Sequence, residues 1–189
     1  MKFTASLASF ALSIMLALPV HAKEVAGVQL APSIIENDQV LELNGAGVRL
    51  MFFIDLYVAA LYTKEPVTQA EPILSGKVPA AVRLNILSGL ITTKKMIETV
   101  EEGFMRSTGG NLEPLRERLN QFMEVFAKSE IKKGDQFTLV SEPNTGIIAY
   151  RNGQKVTTVA GDDFRRALLG VWFGEEPASK GLKREMLGQ

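Results

Sequence analysis

The sequence predicts an α+β protein, an antiparallel sheet with helices packed on one of its faces. Three observations lead there. β-prone runs collect toward the two ends of the chain, two amphipathic helical stripes lie between them, and the strand–helix–strand alternation of a parallel sheet is missing. No internal repeat or low-complexity tract competes with that reading.

The first 22 residues, MKFTASLASFALSIMLALPVHA, have a basic start at Lys2, an apolar run from about Leu7 to Leu18 and Pro19 before Val20-His21-Ala22. This is the layout of a secretory signal peptide, and cleavage is expected after Ala22. The apolar run is shorter than the ~20 residues of a spanning helix, and no later stretch is apolar enough to cross a bilayer. The product would be a single domain over residues 23–189, soluble in the periplasm.

Within it, Val25 to Ile35 and Gln39 to Leu43 read as a first hairpin around ENDQ. Phe52 to Tyr62 is the strongest strand. One set of alternating positions is wholly apolar and the other is apolar with polar inserts, so both faces must be covered and the strand is central. Ala80 to Leu90 is another strand, and Pro66, Pro72 and Pro79 confine the segment before it to a loop or irregular crossover.

A helix from an N-cap at Thr92 or Thr93 to Arg106 carries Met96, Val100, Gly103 and Phe104 on one side. A second, Asn111 to Lys128, places Leu112, Leu115, Leu119, Phe122 and Phe126 at spacings of three and four. Gln136–Ser141, Ile147–Arg151 and Lys155–Val159 form a meander joined by turns containing Thr-Gly and Asn-Gly. A helix capped by Asp162 and a short helix ending at Leu187 close the chain.

Composition excludes several chemistries. The sole histidine, His21, leaves with the leader, and the chain has no cysteine. Ser-His-Asp and Cys-His catalysis, Cys or His zinc sites and disulfides are therefore ruled out for the mature form. No metal and no cofactor is expected. The 21 basic and 21 acidic residues are interspersed, so neither a stripe for nucleic-acid phosphates nor one for anionic lipid is legible. GAG before Arg49 precedes a strand rather than a helix and is no dinucleotide loop. The acidic pairs in EEGF and GEEP read as solvated faces.

Arg49 stands out because it separates a glycine-rich turn from the apolar strand. A guanidinium beside a core must reach water or meet an acceptor. Arg49 and Tyr57, both odd-numbered, share a face if no bulge intervenes. A guanidinium and a phenol side by side suit a carboxylate. Asp55 lies on the same face by this count, so an internal Arg49–Asp55 pair is the competing assignment.

LNGAGVR, the strand ending YVAALY, SGLITTKKMIETVEEGF and ALLGVWFGEEPASKGLKREMLG together resemble the chalcone isomerase-like family, specifically its exported bacterial members. The resemblance implies an open-faced β-sandwich with a ligand cleft between the large sheet and the helices. That fold hosts both isomerases and non-catalytic fatty-acid-binding proteins. Of the five polar isomerase residues only the arginine is matched, at Arg49; the tyrosine position falls on Thr92, the asparagine on Thr99, and the two threonines on Tyr57 and Val171. The fatty-acid-binding branch resembles this chain at both Arg49 and Tyr57. The expected ligand site is thus Arg49, Tyr57, Thr92 and Thr99, with a fatty acid or similar small apolar carboxylate as partner. Isomerase-type chemistry and a purely structural or interaction role remain the alternatives.

Overall fold

Each strand of the core owes its place to period-two burial. β5 (Ile54–Thr63) sends Ala59 and Leu61 into the main core, among the helices, while Val58, Ala60 and Tyr62 enter a second, smaller cluster on the opposite face. In this computed structural model, which describes residues 22–36 and 38–189, β5 is an inner strand of a seven-stranded antiparallel sheet. The expected leader, residues 1–21 up to its last residue, lies outside the described residues.

Two short strands, β1 (Lys23–Val25) and β2 (Val28–Leu30), pair with each other and deliver Leu30 to the smaller cluster. β3 (Ser33–Glu36), β4 (Gln39–Met51), β5, β6 (Ala80–Ile86), β7 (Gln136–Glu142), β8 (Gly146–Arg151) and β9 (Gln154–Ala160) then follow in spatial as well as chain order. A short α1 (Glu71–Leu74), with Pro72 at its start, lies in the crossover before β6. α2 (Thr93–Ser107), α3 (Arg116–Ala127), α4 (Asp162–Phe173) and α5 (Lys180–Met186) complete the fold. Met96, Phe104, Phe122, Phe126, Phe164 and Leu168 join the main core, so α2, α3 and α4 cover one face of the sheet as expected.

Several boundaries differ from the sequence reading. The first hairpin resolves into three short strands followed by β4, which continues through the glycines to Met51. Gly45 and Gly47 therefore lie within a strand and not in a turn. The reason is a close approach: a Cβ on Gly45 would overlap the Glu185 carbonyl oxygen, and one on Gly47 would overlap the Glu185 carboxylate. Between them and Leu43, Asn44 sits at a register shift. Its amide donates to the carbonyls of Val67 and Met186, both at 2.9 Å, and its side-chain oxygen accepts the Val67 N–H at 2.7 Å. The separated motifs LNGAG and KREMLG are thus two halves of one contact.

The apolar strand begins at Ile54, because Phe52 and Phe53 form the turn of a hairpin with Met51 opposite Ile54. β6 stops at Ile86, short of Leu90. Pro114 turns the start of the third helical segment into a 3₁₀ turn, Glu113–Leu115, before α3 proper. Gly161, and not Asp162, occupies the N-cap of α4; Asp162 is its first residue and accepts from Arg165 at 2.8 Å.

Three aspartates set the acid limit of this frame. Hydrogen bonding from Arg165 holds the Asp162 carboxyl below the usual range, and Arg118, bonded to both oxygens of Asp163 at 2.6 and 2.7 Å, does the same there. Burial pushes Asp135 upward, but bonds from Asn152, the Lys132 N–H and Arg151 outweigh it and the net shift is down. A carboxyl depressed by folding contributes stability that is present above its unfolded pKa of about 4 and lost as pH falls through the lower folded value. Glu36 runs the other way, because burial raises it despite Arg83, so it favours the fold at low pH. With three groups against one, the melting temperature is expected to fall below about pH 4. Thermal melts of wild type and Asp135→Asn across that range check this, the variant losing less on acidification.

Candidate functional site

Arg49 and Tyr57 face each other directly across the β4–β5 ladder. Cross-strand partners project to the same side of a sheet. They share a face as expected, although through pairing of two strands rather than alternation along one. A register shift lies between Arg49 and Leu50, and past it Asp55 pairs with Leu50. Asp55 is exposed, and no ion pair joins it to Arg49. The internal-pair assignment is therefore corrected: the bulge moves the carboxylate off the guanidinium. Among the described residues the hydrogen bond from Arg49 goes to the Leu50 carbonyl, which leaves most of its five N–H groups without a protein acceptor.

Both side chains line a cavity of about 490 Å³ between the sheet and the helices. Leu84 and Leu139 form its floor on β6 and β7, while Phe122, Phe126 and Leu168 wall it from α3 and α4. These five are buried, so the inner part of the space is apolar. Its outer part is charged. Lys95, Glu98, Glu102 and Arg106 all lie on the exposed side of α2 and join Arg49 there. Their spacing of three to four residues forms a stripe beside the apolar one. Glu102, expected from EEGF to be part of a solvated face, is indeed exposed, and it also stands at the mouth.

Tyr57 is oriented by Trp172 of α4, whose indole N–H donates to the phenol oxygen at 3.4 Å. Burial pushes the Tyr57 phenol up, with the Trp172 bond and the Arg49 charge pulling the other way, so it stays protonated at neutral pH. With its oxygen accepting from the indole, the Tyr57 hydroxyl proton is free to be donated into the cavity. Of the two tyrosines on β5, Tyr57 lines the cavity with Trp172, while Tyr62 lies in the smaller cluster on the opposite face.

The two threonines separate. Thr99 lines the cavity mouth, whereas Thr92 does not reach it. The Thr92 oxygen accepts the Lys95 N–H at 3.3 Å as the N-cap of α2, a use that removes it from the expected site. Val171 lines the cavity and offers no hydroxyl. Among the described residues no group of three or more acidic or histidine side chains converges as a metal site.

A seven-stranded antiparallel sheet with helices packed on one face, and a cavity between the two, is an open-faced sandwich. The chain belongs to the chalcone isomerase-like family, whose model matches residues 22–188. Among solved structures it is similar to the crystal structure of an Arabidopsis thaliana fatty-acid binding protein. That likeness has a TM-score of 0.62 at 18% identity and covers 82% of this chain and 95% of the other. It establishes the common fold. No curated protein matches the sequence.

Proposed function

We propose that this protein binds a long-chain carboxylic acid without transforming it, the head group held by Arg49 and Tyr57 and the chain lying among Leu84, Phe122, Phe126 and Leu139. The observation that carries this reading is a guanidinium that has no carboxylate partner among the described residues, set opposite a protonated phenol at the opening of an apolar space. A bidentate guanidinium–carboxylate contact with a neutral donor beside it is a strong way to hold such a head group. The space lies within the ~300–1,000 Å³ of ordinary small-molecule sites. The solved structure of similar fold is itself a fatty-acid binding protein. Against catalysis, the positions that resemble the isomerases' tyrosine and asparagine are Thr92, spent on capping a helix, and Thr99.

The proposal includes export: the leader would be removed after Ala22 and the protein would act in the periplasm. One experiment addresses both parts. A native mass spectrum of protein recovered from the periplasm should show a chain starting at Lys23 and carrying a fatty acid. An empty protein that accelerates chalcone cyclisation above the spontaneous rate would favour the isomerase instead.

A further inference from the structure

The tip of the β4–β5 hairpin is built against the usual rules for a soluble turn. Leu50, Met51, Phe52, Phe53 and Ile54 are five consecutive apolar residues, all exposed, with Phe52 at 86% and Phe53 at 103% of full exposure. Both phenylalanines have positive φ, 48° and 67°. A two-residue turn of this kind prefers Asn-Gly, and a bulky side chain there is strained. Among the described residues nothing repays that strain, because both rings are exposed.

The place of the tip suggests what does. Met51 belongs both to the tip and to the cavity wall, and it adjoins Arg49 at the mouth. Leu90, also exposed, lines the same cavity from the loop after β6, which is held beside β5 by bonds from the Leu87 and Ser88 N–H groups to the Leu56 carbonyl at 2.9 and 3.2 Å. The exposed apolar surface therefore runs without a break into the cavity.

Cations flank it. Lys94 and Lys95 open α2, and Lys132 and Lys133 lie in the loop leading to β7, placed at this end of the sheet by the bond from the Gly134 N–H to the Ile86 carbonyl at 2.9 Å. All four are exposed. The acidic groups nearby are partly engaged: Asp135 pairs with Arg151, Glu98 lies 3.9 Å from Lys94, one of the four, and Glu130 accepts the Thr93 N–H, which leaves Asp55 on the hairpin and Glu102 at the cavity mouth as exposed carboxylates. Charges that alternate along the sequence are thus gathered by the fold around an apolar point.

We propose that the β4–β5 tip, Leu50 to Ile54, inserts into the surface of an anionic lipid bilayer, with the cavity mouth turned toward the membrane. A narrow convex tip cannot supply the ~800 Å² per partner of a stable protein interface. A bilayer needs no shape complementarity, accepts exposed aromatic wedges, and attracts lysines to its headgroups. Docking does not depend on the identity of the cavity's ligand.

Cosedimentation of the purified protein with vesicles tests this, using phosphatidylcholine alone and phosphatidylcholine mixed with phosphatidylglycerol. The variant Phe52→Asn/Phe53→Gly supplies the residues the turn prefers, so its melting temperature should hold or rise. Wild type is expected to partition onto the mixed vesicles, less so at high salt, and the double variant to lose about tenfold or more. Failure of wild type to bind either vesicle, or equal binding by the double variant, would overturn the proposal. So would a concentration-dependent dimer abolished by the same substitutions in a protein that ignores vesicles, since the tip would then be a self-interface. Fatty-acid affinity of the double variant in solution should match wild type, which keeps this test separate from that of the ligand.

Discussion

Arg151→Ala is expected to destabilise the protein by about 3–5 kcal/mol, the usual cost of breaking a buried ion pair by removing one partner. Arg151 stands on β8 with only 8% of its surface exposed, and its guanidinium serves four acceptors. One terminal nitrogen donates to the carbonyls of Phe126 and Ser129 at 3.2 and 2.8 Å; the other donates to the Glu130 carbonyl at 2.9 Å and the Asp135 carboxylate at 2.7 Å. Phe137 lies beneath the guanidinium, 5.3 Å from centroid to carbon. The carbonyls at the end of a helix have no partner within it. This one side chain therefore closes α3 and ties it to the sheet.

At about 2–4 °C per kcal/mol for a domain of this size, the melting temperature should drop by roughly 6–20 °C. Arg151→Lys should recover only part of the loss, since an ammonium lacks the planar fork. A drop of less than about 2 °C in the alanine variant would show that water replaces the guanidinium at those carbonyls. Because Phe122 and Phe126 belong to α3 and wall the cavity, loosening this helix should also weaken whatever the cavity holds.

Why such an arginine escapes a sequence reading is instructive. Three of its four acceptors are main-chain carbonyls, which every residue carries, so no motif announces them. Arg165 is the same case: it is buried and donates to the Ile73 and Leu74 carbonyls, both at 3.0 Å, across a wide gap in sequence. Elements were legible where side-chain periodicity decides them. The stripes of α2 and α3, the meander of β7 to β9 and the central place of β5 all follow from apolar spacing. Misplacement came where backbone geometry or a distant partner decides. Gly45 and Gly47 look like a turn until α5 is laid over them. Phe52 and Phe53 look like strand until both are seen at positive φ. At the site, the Arg49–Tyr57 pair was legible because the two residue types are rare against an apolar background. Thr92 was assigned by resemblance and lost to capping, and the charged stripe of α2 at the mouth needed the third dimension.

Arg49→Ala is expected to weaken binding of a long-chain carboxylic acid by about 1.5–3 kcal/mol, roughly ten- to a hundredfold in Kd, since the lost bond carries a charge. Tyr57→Phe removes a neutral donor and should cost about 0.5–1.5 kcal/mol, roughly two- to tenfold. Neither change should unfold the protein. Arg49 is half-exposed and, among the described residues, bonds only the Leu50 carbonyl, so its removal strands no buried charge there, while the ring of Tyr57 keeps its packing in the phenylalanine variant. Thr92→Ala supplies the converse control: losing a helix cap should cost about 1 kcal/mol of stability and leave affinity alone, because that hydroxyl lies outside the cavity. The shift of Arg49 should exceed that of Tyr57, and the double variant should lose less than the sum if both donors meet the same carboxylate. Calorimetric titration with a fatty acid alongside melting curves for wild type and all four variants separates head-group recognition from fold maintenance. Unchanged affinity in Arg49→Ala would mean that the acid, if bound, is held by its chain alone.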